Sequence, residues 1–437
     1  MAKVALRGGL VVDGTGAAPR PADVLVDGDT IVSVGPPTAQ PAEGFDELDV
    51  GGLTVMPGLI DTHTHVTLGE PASNDELFFH RTPAFAALLA AFNVGKVLRA
   101  GVTSIMDVDG LFDIGPALRD AIAAGMVEGP TMKSGTYALM TAVGGTAGRM
   151  IPDEGTAGYA EVTRTREEMV TATRRQIKDG ADLVKIHVTG SLPTRRGEHQ
   201  VWTLDELKTV VDTAHDLGTP VVAHCRNASS TRDAARAGVD IIYHASYMDE
   251  EALEAVVASG AILGPVFTFL ANLADFGAQV GSTTTALDVF RNEIEATAAM
   301  VRRAHDAGVP LVCGSESGFV ITPYGHWHAR EMQVFVESLG LTPLEAITCG
   351  TRNGALAMGE LERTGTLEAG KRADILVLDG DPTRDITVLG DRSRFRHLWC
   401  RGREVDLARP WPQRAPIAGE KVVPWAAAPL TWDLVHP

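Results

Sequence analysis

Residues 181–246 contain ADLVKIHVTG (181–190), TLDELKTVVDTAHDLG (203–218), TPVVAHC (219–225) and VDIIYHAS (239–246). Three short apolar runs rich in Val and Ile alternate with a longer stretch of helical period. Thr203 followed by Glu206 has the spacing of a capping box, and Gly218 closes that helix. The same alternation extends in both directions. GVTSIMDV (101–108), GAILGPVF (260–267) and VPLVCGSE (309–316) read as strands, and DEEALEAVVASG (249–260) and LDVFRNEIEATAAMVRRAHDAG (287–308) as helices. Strands that alternate with helices imply a parallel sheet covered by helices, most economically a (β/α)₈ barrel. A doubly wound open sheet is the alternative, but no GxGxxG turn between a first strand and helix supports it.

Outside residues 58–364 the pattern changes. LRGGLVVDG (6–14), ADVLVDGDTIVSVG (22–35) and FDELDVGGLTVMPG (45–58) are short strands broken by Gly, Asp and Pro. GTLEAGKRADILVLDGDP (365–382) and RFRHLWCRGREV (394–405) have the same character. Neither end has enough strands to cover its own apolar face, so residues 1–57 and 365–407 are expected to form one β module. Residues 408–437, rich in Pro and Trp, are expected to wrap a surface or a neighbouring subunit.

The strand-like runs end repeatedly in groups that bind metals. His63 and His65 in PGLIDTHTH (57–65) lie two apart, on one side of an extended chain. Further runs end at Lys185, His224, His244 and Glu316. At the C-terminal mouth of a barrel these six side chains would meet. Imidazoles and a carboxylate suit zinc or a similar divalent ion, with cobalt, manganese or iron as alternatives. An ammonium cannot ligate a cation, but the carbamate formed from Lys185 and CO₂ (N6-carboxylysine) can, and its two oxygens can bridge two ions. The carbamate, Glu316 and a hydroxide would offset most of the charge of two divalent ions, leaving some to polarise a carbonyl. Coordination lowers the pKa of bound water from 15.7 toward about 7 and so supplies a nucleophile. Glu316 would carry its proton to the leaving group.

PGLIDTHTH, GVTSIMDVDG, GADLVKIHVTG, VVAHC, GVDIIYHAS, the GSESG loop, LTPLEAITCGTRNGALAMG and GTLEAGKRADILVLDGDP follow one another from about residue 3 to 405. In this order they resemble the amidohydrolase superfamily, in the branch of imidazolonepropionase-like proteins and prolidase-like dipeptidases. The resemblance implies a (β/α)₈ barrel, a composite β-sandwich from both termini, and two metal ions bridged by carboxylated Lys185. His63, His65, Lys185 and Glu316 would hold one ion; Lys185, His224 and His244 would hold the other. Two positions depart from the family pattern. Glu316 stands where the family commonly has Asp, displacing the carboxylate by roughly 1.5 Å. Thr146, in VGGTAG, stands where dipeptidase-like members carry His. The run SESGFVITPYGHWHARE (315–331) is closer to molinate- and phenylurea-hydrolase-type members. The expected reaction is therefore hydrolysis of a C–N bond in a small amide, cyclic amide, urea or carbamate. A prolidase-like dipeptidase or N-acyl-amino-acid hydrolase is the alternative.

Isolated, each of these side chains has a plainer reading: a core histidine, an ion-paired lysine, a helix-capping acid. His187, Tyr137, Tyr324, His326 and His328 are candidate substrate contacts, with core or interface packing as the alternative. Asp61 is either a turn residue or a partner that orients an imidazole. The Arg195–Arg196 pair reads as a solvated loop.

The 437 residues are 45% hydrophobic and 22% charged, enough for a large core. Acidic residues outnumber basic ones by 56 to 38, a net charge of −18 that disfavours nucleic acid as a partner. Four dispersed cysteines make no disulfide framework, and no run is long enough to span a membrane. The N-terminal segment lacks a signal-peptide core, so a cytoplasmic homo-oligomer acting on a small molecule is expected.

Overall fold

Thr54–Pro57 pairs antiparallel with Ile375–Leu378, setting Val55 opposite Val377. This ladder joins the two ends of the chain. The computed structural model describes every residue except 1–2, 72, 80, 147–150, 195–196, 283, 416–425, 427 and 437. In it an eight-stranded mixed sheet runs in the order Arg403–Glu404, Phe395–Cys400, Ile375–Leu378, Thr54–Pro57, Lys3–Val11, Arg20–Asp27, Thr30–Gly35, with Asp46–Asp49 also on Lys3–Val11. Side chains alternate across this sheet. Ile375 and Val377 pack with Leu6, Val24, Ile31 and Val55, whereas Leu376 and Leu378 join the large core of the rest of the molecule. One strand thus serves two cores.

The segment between these ends carries two parallel sheets. Leu59–Thr64, Val102–Asp107 and Thr131–Ser134 form one. Ala160–Thr163, Ala138–Thr141, Val184–His187, Val221–Cys225, Ile241–His244 and Ile262–Gly264 form the other, in that order. Hydrogen bonds join them on both sides. Asp182 donates its N–H to the Ser134 carbonyl at 2.7 Å, and Thr62 to the Cys313 carbonyl at 2.9 Å. Leu263 bridges in parallel to Leu311. Helices cover the outside: Leu204–His215 opens with the Thr203–Glu206 capping box and turns Leu207, Val210, Val211 and Ala214 inward. It ends at His215, and Gly218 makes the turn that follows, at φ +73°.

Strand parity decides which side chains face the helices and which face the site. Val221, Ala223 and Cys225 lie in the large core, whereas Val222 joins an inner cluster with Ile60, Met106, Leu183 and Tyr243. His224 shares the parity of Val222, and Lys185 and His187 share that of Leu183. The four cysteines are all buried and unpaired. The tail is tied to its own chain: Leu430 and Trp432 pack on Trp327, whose indole N–H donates to the Leu430 carbonyl at 2.6 Å. Among the described residues no helix is long and apolar enough to cross a membrane.

Leu376→Ala removes a fully buried side chain where the terminal sheet meets the large core. It is expected to cost about 2–5 kcal/mol, seen as a lower urea midpoint. A loss under about 1 kcal/mol would mean that this face is not an integral part of the core.

Candidate active site

The strand Leu59–Thr64 and the loop 313–318 are held together along their length. Glu316 donates its N–H to the His63 carbonyl at 2.9 Å, and His65 to the Ser317 carbonyl at 2.7 Å. Glycine is required on both sides of Glu316. A Cβ on Gly314 would lie 2.6 Å from the His63 Cβ, and one on Gly318, at φ +140°, would lie 2.5 Å from the His65 carbonyl oxygen. Asp61 locks the same contact: one carboxylate oxygen accepts the N–H groups of His63 and Ser315, both at 3.1 Å. The other meets His328 Nδ1 at 2.7 Å. Asp61 therefore orients backbone and His328 rather than a candidate ligand imidazole.

Four imidazoles and two charged side chains meet here. His63 and His65 lie 5.1 Å apart between ring centres, His63 and His244 5.6 Å, and His224 and His244 4.4 Å. Glu316 reaches His63 Nε2 at 3.8 Å and His65 Nε2 at 3.6 Å, and its side chain is 16% exposed. Lys185 is almost wholly buried, its Nζ 5.0 Å from the centre of the Tyr243 ring that also packs on His63. Parity along Ile241–His244 would point His244 toward the helices. Positive φ at His244 (68°) and Ala245 (48°) turns it into the cluster instead. Glu316 is also left-handed, at φ 56°. Such conformations cost of order 1 kcal/mol each and persist where the surroundings enforce them.

The electrostatics suit a cation. Burial and the neighbouring Lys185 hold the His63 pKa well below the ordinary range, and burial with His224 does the same for His244. Burial also lowers Lys185, against the pull of Asp109. His65 is pushed up to about 10, because Asp109 and Glu316 outweigh its burial. Nδ1 of His63 and Nε2 of His244 are buried with no hydrogen-bond partner. Buried donor atoms left without partners call for one. His63, His244 and Glu316 each offer a ligand atom within 4.8 Å of the other two, the geometry of a metal triad. This triad cuts across the expected division of His63 and His244 between two ions.

Two carboxylates that sequence reasoning missed organise the surroundings. Asp109 is completely buried; its Oδ2 meets His187 Nε2 at 3.0 Å, and its Oδ1 lies 3.3 Å from His65 Nδ1 and 3.8 Å from Lys185 Nζ. His65 Nδ1 also faces the Asp109 carbonyl at 2.9 Å. A carbonyl only accepts, so Nδ1 carries a proton, and Nε2 is the nitrogen turned toward Glu316. Glu198 meets His224 Nε2 at 2.8 Å. Asp109 lies in the quoted segment GVTSIMDVDG but two residues past its strand. Glu198 lies on a hairpin with no periodic signal.

The candidate substrate contacts separate. His187 stands in the cluster, with the Thr146 N–H directed at its Nδ1 at 3.5 Å. Tyr324 is fully buried, and its hydroxyl donates to the His65 carbonyl at 2.7 Å, bracing the loop. His328 is held by Asp61. His326 accepts the Trp432 N–H at 3.2 Å and packs on Trp411, among the tail residues. Tyr137 lies beside Asp113; burial and the charge of that carboxylate together push the Tyr137 pKa up to about 12. The structure thus brings His187 into the cluster and not Tyr137 or His326. Arg195–Arg196 lies outside the described residues.

Residues 54–405 match the amidohydrolase family. The chain belongs to that family. Its relatives include ochratoxinase from Aspergillus niger, 28% identical over 420 residues, covering 90% of this chain and 85% of that one. The crystal structure of that ochratoxinase superposes with a TM-score of 0.80 at 26% identity, over 92% of this chain and 95% of its own. A Xaa-Pro dipeptidase with methionine bound in its active site superposes with a TM-score of 0.81 at 26% identity, over 92% and 100%. Molinate hydrolase, at 23% identity, shares the fold, with a TM-score of 0.78 over 96% and 98%. Within the family the chain is related to the branch that contains prolidases and imidazolonepropionases.

Asp61→Ala would strand two buried N–H groups and is expected to cost about 2–6 kcal/mol at about 1–3 per group. Asp61→Asn, which keeps an acceptor oxygen, should cost less. Equal urea midpoints for wild type and Asp61→Ala would show that the carboxylate does not hold the strand to the loop.

Proposed function

We propose that the protein hydrolyses a C–N bond (amide, cyclic amide, urea or carbamate) in a small molecule, at a site for two divalent ions, zinc first among them. The observation that carries the metal-dependent part of this reading is that His63, His244 and Glu316 each offer a ligand atom within 4.8 Å of the other two. His63, His65, Lys185 and Glu316 would hold one ion, and Lys185, His224 and His244 the other. Bound there, divalent ions lower the pKa of coordinated water and polarise a carbonyl. Lys185 would serve both ions as N6-carboxylysine: the neutral amine adds to the carbon of CO₂, a new N–C bond forms as one C–O π bond opens, and a proton leaves. Burial favours the neutral amine, and Asp109, 3.8 Å from Nζ, opposes it.

The division of labour follows from the contacts. Asp109 fixes the orientation of His65 and His187. Glu316, the partly exposed carboxylate between His63 and His65, accepts the proton of the attacking water and delivers it to the leaving nitrogen. A strip of partly buried aromatics runs outward from the cluster: Phe319 lies 5.8 Å from His65, Phe269 5.5 Å from Phe319, and Phe290 6.3 Å from Phe269. Arg226 lies beside Phe290 but is already paired with Glu293 and Glu198. An apolar wall with a neutralised cation favours an uncharged, aromatic-bearing substrate over one with a free carboxylate. The likeness to a Xaa-Pro dipeptidase supports the second reading, a dipeptidase or N-acyl-amino-acid hydrolase. The hydrogen bonds joining the two parallel sheets support a closed (β/α)₈ barrel over residues 58–364. On this reading residues 1–57 and 365–407 form a composite β-sandwich, and 408–437 a tail.

Glu316→Gln, which keeps an oxygen toward the site, is expected to retain metal at saturating zinc and to lower kcat by about 10²-fold or more. Unchanged turnover would remove Glu316 from proton transfer. A panel of anilides, ureas, carbamates, lactams and dipeptides, assayed with metal-loaded protein, separates the two readings. Cleavage confined to substrates with a free carboxylate, and lost on its esterification, would overturn the first.

A further inference from the structure

We infer that Glu198 is a positioning residue that selects which nitrogen of His224 faces the metal site: Nε2 is held as a donor to the carboxylate, and Nδ1 is left as the ligand. This inference rests on the dinuclear reading above. The chain after Lys185 forms a hairpin of Thr189–Thr194 and Gly197–Gln200, which folds back over the segment that follows His224. The two segments are zipped together. Glu198 donates its N–H to the Arg226 carbonyl at 3.1 Å, Arg226 donates its N–H to the Thr189 hydroxyl at 3.1 Å, and the Asn227 amide donates to the Glu198 carbonyl at 2.7 Å. Gly197, at φ +88°, lies so close to the Arg226 carbonyl that a Cβ would collide with it. The Glu198 side chain is 3% exposed and has little freedom to move away.

Its contacts define the chemistry. Oε2 meets His224 Nε2 at 2.8 Å and accepts the Thr189 hydroxyl at 2.9 Å. Oε1 faces the Arg226 guanidinium at 3.6 Å, and that guanidinium also makes a two-pronged contact, at 2.9 and 2.7 Å, with Glu293 on the helix Thr284–Asp306. Ser246 closes the chain by donating to Glu293 at 2.6 Å. A carboxylate facing a guanidinium can only accept, so His224 donates through Nε2. Its lone pair then remains on Nδ1, on the ring that packs 4.4 Å from His244. One buried cation set between two carboxylates also leaves net negative charge behind the imidazole, which strengthens it as a ligand.

The test compares full-length wild type, Glu198→Gln, Glu198→Ala and His224→Ala, each loaded with zinc in bicarbonate and dialysed against graded chelator. Zinc per chain and the melting temperature are measured with and without metal. Loss of the carboxylate is expected to release one zinc at a chelator concentration about 10-fold lower or more, with Glu198→Ala the more severe. Metal-free Glu198→Gln should melt with metal-free wild type, while the rise in Tm that zinc produces becomes smaller. A merely structural glutamate would lower the metal-free Tm and leave zinc release unchanged. Should Glu198→Ala fail to fold, Glu198→Gln alone decides: wild-type zinc release by this variant overturns the inference. His224→Ala separates the two levels. If it loses one zinc while both Glu198 variants keep two, only the role of Glu198 falls. If it keeps two, the assignment of His224 to the metal site falls as well.

Discussion

The hydrogen-bonded contact between the strand Leu59–Thr64 and the loop 313–318 is the constraint on which the site depends. It joins segments about 250 residues apart in sequence, through the Thr62–Cys313, Glu316–His63 and His65–Ser317 backbone bonds. Gly314 and Gly318 permit the approach, and the Asp61 carboxylate bonds N–H groups on both sides of it. With that contact in place, Glu316 must lie beside the two histidines. Without it, the acid would belong to an ordinary surface loop.

A second constraint is electrostatic. Lys185, Asp109 and five imidazoles are buried within a few ångströms of one another. Burying this many polar groups is unfavourable unless each is satisfied or shares a cation. Asp109 satisfies His187 and His65, and Glu198 satisfies His224. His63 Nδ1 and His244 Nε2 are left without partners, and His63, His244 and Glu316 together offer the ligand atoms of one metal triad. Arg226 belongs to the same economy: committed to Glu293 and Glu198, it has little left to offer a substrate anion.

Much of this was legible in the sequence, wherever a side chain follows from period. His63 and His65 share a face because they lie two apart, and Lys185 and His224 point inward by the parity of their strands. His244 was rightly placed at its strand end, but parity does not explain its direction, which comes from a left-handed turn at a residue other than glycine. Asp109 and Glu198 lie beyond strand ends, where no period applies, and their roles depend on partners remote in sequence. Tyr137 and His326 failed to join the cluster because Asp113 and the tail claim them instead. The two terminal modules were legible as a unit because neither has enough strands alone, and the Val55–Val377 pairing realises that expectation.

The most direct test of the central claim is the composition of the loaded site, measured by native mass spectrometry on wild type and Lys185→Ala after incubation with zinc and bicarbonate. Wild type carrying two zinc ions and one CO₂ per chain, the CO₂ and a zinc both absent from Lys185→Ala, is the expected result. Wild type with one zinc and no CO₂, or a Lys185→Ala variant that still binds two zinc ions, would contradict a lysine-bridged pair of metals.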